Sequence, residues 1–274
     1  MEFETILAAV RKRKPLVQCI TNFVTVNDCA NILLASGGSP TMASHLLEVE
    51  EAVRNVQALV CNMGAIDQVD SMILAGKEAN DLGKPVILDP VGAGGTQLRR
   101  DAAKRLLEEV HFTAIRGNAS EIRYLAGQET TGSGVDVSEL DEINEENLPG
   151  AVVMADNLAR KLGTVIAISG KIDVISDGQR SCVLRNGCAT MARITGSGCM
   201  LTALIGAFCG AWDDPFLASC AAMAAMGISG EIAEEKRLHN GTGNATFRND
   251  LIDALFNLTQ EQLKQGVRYE IYKR

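Results

Sequence analysis

Aromatic residues are scarce in this chain: seven Phe, three Tyr and one Trp make up 4% of its 274 residues. Modules that bind nucleic acids stack bases on aromatic side chains, so this composition matches them poorly. Basic residues are also outnumbered, since 26 Lys and Arg stand against 34 Asp and Glu, for a formal net charge of −8. This charge argues against a nucleic-acid backbone or an anionic membrane as the main partner.

Several common sequence signals are missing as well. The three histidines are scattered and the eight cysteines include no C-x-x-C pair, which argues against a zinc site. Most cysteines lie in apolar stretches and we see no signal peptide, so we expect reduced thiols in a cytoplasmic protein. The longest apolar region, 201–230, is interrupted by Trp212-Asp213-Asp214-Pro215, which predicts two buried helices rather than a membrane span.

Small and aliphatic residues dominate instead, in apolar strands that alternate with amphipathic helices. Strands are predicted at 16–20, 58–63, 85–88, 112–115 and 164–168, followed by a hairpin around Asp177-Gly178. This alternation predicts an α/β fold with a mainly parallel sheet and helices on both faces. We expect one domain over residues 1–274, with the polar, acidic segment 128–149 as a long surface loop.

The segment Thr195-Gly196-Ser197-Gly198-Cys199 leads into an apolar run with helical spacing that starts at Leu201. We interpret it as a glycine-rich turn whose unpaired N–H groups, with the helix dipole behind them, form a site for phosphate or another anion. Cys199 lies in that field, so we expect the pKa of its thiol to be lowered. Such turns also occur without a ligand, and a cysteine there can simply fill a buried space.

Polar side chains are also predicted at the carboxyl ends of the strands, where ligands bind on parallel sheets. These residues are Asn22, Asp89, Arg116, Glu121 and Ser169. Asp89 and Glu121 offer oxygen ligands to Mg²⁺, directly or through water, and Arg116 offers a planar cation to phosphate. This set suits phosphoryl transfer, whereas the P-loop and dinucleotide-binding motifs are absent from the sequence.

Each of these residues also has a purely structural explanation, which stays open at this point. Asp89 with the following Pro90 can end a strand, and Asn22 can cap a helix. Glu121 lies three residues after Asn118, the spacing of a capping box. Arg116 can pair with a nearby acid, and the hydroxyl of Ser169 can belong to a turn.

Five segments of the chain resemble hydroxyethylthiazole kinases, a family with the ribokinase-like fold. They are Gln18–Asn22, Ser39–Met42, Val86–Gly94, Ala114–Glu121 and Thr195–Cys199, in the family's order and spacing. The match runs from about Leu16 to Thr246, although segment 128–149 does not match in detail.

The resemblance implies a ribokinase-like kinase without a separate lid domain. Such an enzyme uses ATP and Mg²⁺ to phosphorylate the hydroxyl of 4-methyl-5-(2-hydroxyethyl)thiazole in thiamine salvage. The resemblance further implies a homotrimer with active sites at the subunit interfaces.

The resemblance also assigns the substrate and nucleotide positions. Met42 and Gly196 match positions that contact the thiazole, and Asn22 matches a position near it. Arg116 and Ser169 match positions that contact ATP, with serine where the family often has threonine, and we place Asn118 beside them.

The charged and reactive positions follow from the same match. Asp89 and Glu121 match the magnesium and phosphate region. Cys199 stands where the wider ribokinase group carries an aspartate that acts as base, and Arg116 is its catalytic partner. Gly196, Ser197, Gly198 and Cys199 together are the predicted anion hole.

Three alternatives remain from the sequence. The chain can be another ribokinase-like kinase, of the hydroxymethylpyrimidine type, or an ATP-dependent hydratase-repair lyase on the same fold. Both usually carry aspartate at the position of Cys199. A non-catalytic protein that binds a vitamin precursor is the third alternative, and the intact Asp89, Arg116 and Glu121 argue against it.

Overall fold

A computed structural model of the chain describes residues 2–128 and 142–273, and in this part of the chain nine strands form one sheet. The strand order is β2-β1-β3-β4-β5-β6-β7-β8-β9. The strands from β2 to β6 in this order are parallel, and β7, β8 and β9 are added antiparallel. The predicted mainly parallel sheet is therefore confirmed.

The strands are short and mostly buried. They are β1 Leu16–Ile20, β2 Ser39–Thr41, β3 Ala58–Asn62, β4 Val86–Asp89, β5 Ala114–Asn118, β6 Val165–Ser169, β7 Asp173–Ser176, β8 Arg180–Leu184 and β9 Tyr269–Lys273. Segments such as β3 are apolar throughout because a central parallel strand is covered by helices on both faces.

Helices cover both faces of the sheet. They are α1 Phe3–Arg13, α2 Val26–Ser36, α3 Val49–Arg54, α4 Val69–Asp81, α5 Gln97–Glu109, α6 Ala119–Leu125, α7 Leu148–Leu162, α8 Ser197–Ala211, α9 Pro215–Asn240, α10 Asn244–Asn257 and α11 Gln260–Gly266. Short 3₁₀ helices lie at Ile66–Gln68 and Ala189–Arg193.

Two apolar cores lie on opposite faces of the sheet. One joins the sheet to α1, α2, α8, α9, α10 and α11, and the other joins it to α3, α4, α5, α6 and α7. Alternate strand residues contribute to each core: Val60 of β3 packs in the first and Leu59 in the second. This is the period-two pattern of a strand between two helical layers.

Some predicted boundaries were wrong. The strand predicted at 112–115 is β5, which begins at Ala114 and includes Arg116. Helix α8 begins at Ser197, so most of the predicted glycine-rich turn is its first helical turn. The predicted loop 128–149 overlaps the start of α7 at Leu148, while residues 129–141 lie outside the described part.

The apolar region 201–230 forms parts of α8 and α9, as predicted. Among the described residues, α9 alone is long and apolar enough to cross a membrane, but 83% of its most apolar window is buried. Buried core helices have the same composition, so α9 is explained by its packing between α1, α8 and α10.

Candidate active site

The carboxyl ends of four neighbouring parallel strands bring polar residues to one edge of the sheet. Asn62 ends β3 and lies in register with Asp89, the last residue of β4. Asn118 ends β5 and lies in register with Ser169, the last residue of β6. Chain segments that are far apart in sequence therefore supply adjacent side chains, as expected for a ligand site on a parallel sheet.

The first turn of α8 reaches the same edge. Gly196 precedes this helix with φ of +83°, and a Cβ on it would lie 2.6 Å from Thr25 Cγ2. Both facts require glycine here, because other residues rarely adopt this φ and no space exists for a side chain. Met200 N–H donates to the Gly196 carbonyl at 2.8 Å, so the N–H groups of Ser197, Gly198 and Cys199 precede the first helical hydrogen bond.

Asp89 is fully buried, and its two carboxylate oxygens have different surroundings. Oδ2 accepts hydrogen bonds from Asn62 Nδ2 at 2.8 Å and from Thr202 Oγ1 at 2.9 Å. Oδ1 has no hydrogen-bond partner in the described residues and lies 3.7 Å from Nη1 of Arg116. Burial raises the pKa of this carboxyl, whereas the positive charge of Arg116 lowers it.

The guanidinium of Arg116 joins the strand end to α8. Its Nη2 donates to the hydroxyl of Ser169, and a Cβ added at Gly198 would collide with the guanidinium. The ion pair with Asp89 agrees with the structural explanation considered above for Arg116, whereas the contact with Arg116 gives the Ser169 hydroxyl a partner outside a turn. They also hold a largely buried cation beside the N–H groups of α8, where it is well placed to stabilise phosphate oxygens.

Cys199 contradicts the expectation of a lowered pKa. Burial, followed by the negative charge of Asp89, raises the pKa of the Cys199 thiol to about 11. Hydrogen bonds from Asn62 and Thr25 and the charge of Arg116 act in the opposite direction but are weaker. The dipole of α8 does not lower the pKa of this thiol below its ordinary value, because desolvation disfavours a thiolate in this buried position more strongly.

Glu121 and Asn118 form the predicted capping box of α6. The Glu121 N–H donates to Asn118 Oδ1, and the Asn118 N–H donates to Glu121 Oε2, both at 2.8 Å. Glu121 Oε1 also accepts from Gly92 N–H at 2.9 Å, which ties the loop after β4 to the start of α6. Burial, and then the charge of Asp89, raises the pKa of Glu121 to about 7.

Asn22 does not cap α2, whose first residue is preceded by Thr25, but its side chain bonds both to Thr25 and to the candidate site. Its Oδ1 accepts from the N–H and hydroxyl of Thr25, directly before α2, each at 3.1 Å. Its Nδ2 donates to Asn62 Oδ1 at 3.1 Å and faces Cys199 Sγ at 3.5 Å. Met42 follows β2 at the same edge of the sheet and packs half-buried against the core.

The described residues contain no cluster of three or more His, Cys, Asp or Glu that could hold a metal ion. Mg²⁺, however, usually takes one or two carboxylates and completes its shell with phosphate oxygens and water. Oδ1 of Asp89, which is buried and accepts no hydrogen bond from the described residues, fits such a ligand. Both oxygens of Glu121 already accept backbone N–H groups, so Glu121 fits a direct ligand less well.

A family model described as "Hydroxyethylthiazole kinase family" matches residues 7–261. The chain belongs to the hydroxyethylthiazole kinase family. It is 48% identical over 265 residues to a hydroxyethylthiazole kinase of Clostridium beijerinckii, covering 95% of this chain and 94% of that one. It is 47% identical to the Clostridium acetobutylicum enzyme, with 97% and 98% covered.

Solved structures agree with this family assignment. A hydroxyethylthiazole kinase from Pyrococcus horikoshii OT3 superposes with a TM-score of 0.87, at 34% identity and 99% coverage of both chains. A pyridoxal kinase of Bacillus subtilis, solved with ADP, superposes with a TM-score of 0.59 at 16% identity over 78% of this chain and 91% of that one. The second likeness concerns the fold alone, and it confirms the ribokinase-like fold class.

The structure adds Asn62 and Thr202 to the candidate site, which the sequence pattern does not single out. Asn62 ends a buried strand, which is the same signal that points to Asp89, but it lies inside an apolar run that predicts only a strand. Thr202 lies one helical turn after Gly198, and its hydroxyl reaches Asp89 from α8. Its contact with Asp89 spans 113 residues, so only the fold reveals it.

Proposed function

We propose that this chain transfers a phosphoryl group from ATP to the hydroxyl of 4-methyl-5-(2-hydroxyethyl)thiazole, as its family name indicates. The observation that carries the proposal is the convergence of Asp89, Arg116 and the first turn of α8 at one edge of the sheet. Phosphoryl transfer requires positioning and charge stabilisation, and these groups provide both.

Arg116 and Ser169 bind the phosphate chain of ATP in this proposal, and Asn118 holds the adjacent start of α6. The N–H groups of Gly196, Ser197, Gly198 and Cys199 form the anion hole that receives the negative charge developing on the transferred group. Met42, Asn22 and Gly196 contact the thiazole. These roles are supported by the grouping of the residues around the carboxyl ends of the strands.

Mg²⁺, when bound, neutralises charge on the phosphate oxygens. We assign Asp89 as its direct protein ligand, through Oδ1, because Asn62 and Thr202 already occupy Oδ2. In this assignment Glu121 does not contact Mg²⁺. It accepts hydrogen bonds from the backbone of Gly92 and Asn118 and so holds these residues in place around the phosphates.

Cys199 stands at the base position, but only its thiolate can accept the hydroxyl proton. Since burial raises the pKa of this thiol to about 11, the thiol stays protonated at neutral pH. A loose transition state for phosphoryl transfer needs little proton removal until late in the reaction. We therefore assign Cys199 a modest share of catalysis, and Arg116 with the anion hole a larger one.

We also propose a homotrimer in which neighbouring subunits complete each site. Large apolar side chains beside the thiazole-binding positions support this: Phe23 is 91% exposed next to Asn22, and Leu47 is 88% exposed a few residues after Met42. Exposed apolar patches of this kind usually mark interaction surfaces.

The remaining proposals concern the whole chain. All eight cysteines are free thiols, which favours a reducing compartment, and we propose the cytoplasm. The continuous nine-stranded sheet of the described residues supports one kinase domain over 1–274 without a separate lid domain.

The test is release of ADP in the presence of Mg²⁺ and ATP, with the thiazole, with hydroxymethylpyrimidine, or with no acceptor. We expect release only with the thiazole. Release of ADP only with hydroxymethylpyrimidine would agree with the proposed mechanism but would show that the thiazole is not the acceptor. No release with either acceptor, together with tight binding of the thiazole, would favour a binding protein.

A further inference from the structure

Asn62 links the reactive groups of the site although it contacts neither nucleotide nor thiazole in the roles assigned above. The residue is 1% exposed, and both amide hydrogens and the amide oxygen have hydrogen-bond partners. Nδ2 donates one hydrogen to Asp89 Oδ2 at 2.8 Å and the other to Cys199 Sγ at 3.2 Å. Oδ1 accepts from Asn22 Nδ2 at 3.1 Å and from the N–H of Gly64 at 2.8 Å.

The backbone fixes which way this amide points. The Gly64 N–H can only donate, so the atom facing it must be the amide oxygen, and the NH₂ group must face Asp89 and Cys199. A Cβ at Gly64 would lie 2.6 Å from Asn62 Oδ1, so the turn after β3 closes directly over the amide. If the amide were flipped, its NH₂ group would face the N–H of Gly64, and its oxygen would face the carboxylate of Asp89. Both contacts would be repulsive.

The consequence for Asp89 concerns the orientation of its carboxylate. Asn62 and Thr202 both donate to Oδ2, which leaves Oδ1 directed toward Arg116 without a hydrogen bond. The consequence for Cys199 is that two amide donors, from Asn22 and Asn62, approach its sulfur. The thiol is thereby held at a set position relative to the carboxylate.

We propose that Asn62 is a positioning residue of the kinase reaction, which holds Asp89 and Cys199 in one fixed arrangement through the two hydrogens of its amide. This inference rests on the proposed function. Substitution of a residue that hydrogen-bonds to a metal ligand and orients it typically lowers activity by about 10- to 100-fold.

The test is a double-mutant cycle on kcat with Asn62→Asp and Cys199→Ala. Asn62→Asp keeps the acceptor for Gly64 and Asn22 and removes both donors, but it also adds a carboxylate beside Asp89. Asn62→Ser, which adds no charge, is therefore measured beside it, and both variants should lower kcat. We expect a fall in kcat of about 10- to 100-fold, with KM for ATP and the thiazole changed by less than about threefold. Because Asn62 acts partly through Cys199, the loss in the double variant should fall short of the product of the single losses by about fivefold or more.

Asn80→Asp is the matched control, because this amide also donates and accepts a hydrogen bond but lies near the end of α4, away from the site. Its Nδ2 donates to the carbonyl of His111 and its Oδ1 accepts from the N–H of the same residue, each at 2.8 Å. We expect Asn80→Asp to lower the melting temperature without changing kcat. If Asn62→Asp does not fold, Asn62→Ser, which keeps one donor, replaces it in the cycle.

The outcomes separate this proposal from the function on which it rests. No turnover of the thiazole by the wild-type enzyme would overturn the proposed function. In that case the Asn62–Cys199 contact can still be tested by the melting temperatures of the same variants. The contact predicts that the double variant loses less melting temperature than the two single variants together. Losses in kcat that multiply, a rise in KM without a fall in kcat, or additive losses in melting temperature would each overturn the positioning role.

Discussion

Arg116 is the side chain on which most of the site's charge balance depends. Its guanidinium contacts Ser169 and lies beside Gly198, with Asp89 as its ion-pair partner. The salt bridge is largely buried, so removal of the cation would leave the Asp89 carboxylate without a compensating charge. Loss of Arg116 thus weakens phosphate stabilisation and disturbs the proposed magnesium ligand together.

We expect Arg116→Ala to reduce the single-turnover rate more than Cys199→Ala does. Removal of one preorganised charge or donor typically costs about 10²–10³-fold, whereas a thiol that is already protonated contributes less than the ~10²–10⁴-fold of a well-tuned base. Cys199→Ala should also keep its affinity for the thiazole, measured by calorimetry.

The control for this pair is Arg54→Ala. Arg54 lies at the end of α3 before β3, away from the site, and its partner is Glu78 on α4. Its substitution should leave the rate unchanged. A larger loss from Cys199→Ala than from Arg116→Ala would contradict the ranking, and loss of thiazole binding in a folded Cys199→Ala protein would contradict the base position.

At the scale of elements, the first turn of α8 depends on a glycine that nothing else can replace. Gly196→Ala is expected to lower the free energy of unfolding by about 1–3 kcal/mol, from the positive φ and the overlap with Thr25. It should also displace the anion hole and reduce turnover. Chemical denaturation and steady-state kinetics measure the two effects.

Gly241 provides a matched control for that substitution. It ends α9 with φ of +64°, and a Cβ there would have no atom within 4 Å. Gly241→Ala therefore carries the backbone strain without the collision, and we expect a loss of about 1 kcal/mol with normal turnover. Equal effects of the two alanines on turnover would argue against a special role of the α8 turn.

The β6–β7 connection contains a buried carboxyl that makes stability depend on pH. Asp173 begins β7 and accepts the N–H of Gly170 at 2.9 Å, and burial raises its pKa from 3.8 to about 7. The folded protein therefore binds a proton that the unfolded chain releases between these values. Its contribution to stability is present below about pH 4 and is lost as pH rises through about 7.

We expect Asp173→Asn to remove this part of the pH dependence, because an amide oxygen can still accept from Gly170 and does not ionise. Free energies of unfolding at several values between pH 4 and pH 8 give two curves, whose difference isolates Asp173 from the other titrating groups. The wild-type curve should fall more steeply with rising pH than that of the variant. Parallel curves would contradict the assignment.

Elements with a strong local pattern could be predicted from the sequence, while contacts between elements could not. Strand β1 was predicted at its exact bounds, and the capping box of α6 was predicted from the spacing of Asn118 and Glu121. The pKa of Cys199 was predicted in the wrong direction, because the helix N-terminus is visible in sequence and the burial of the thiol is not.

At the scale of the molecule, the apolar side chains beside the site indicate how copies of the chain assemble. We expect Phe23→Asp or Leu47→Asp to convert the proposed trimer into monomers, because a charge would be buried at the interface. Analytical ultracentrifugation measures the change. If partner residues complete the site, KM for the thiazole should rise in the same variants.

Leu82→Asp is the control for the assembly experiment. Leu82 is also exposed, but it follows α4 at the amino end of the sheet, opposite the site. It should leave the association state unchanged. A wild-type protein that sediments as a monomer would contradict the trimer, and an unchanged trimer in both Phe23→Asp and Leu47→Asp would exclude this surface as its interface.

The hydrogen bonds of the site join segments that leave the ribosome far apart in time. Cys199 meets Asn22 across 177 residues of chain and Asn62 across 137. A nascent chain that stops before α8 has Asp89 and Asn62 but neither the thiol nor the N–H groups that face them. The proposed catalytic centre can therefore form only after α8 has been synthesised, however early the first half of the sheet folds.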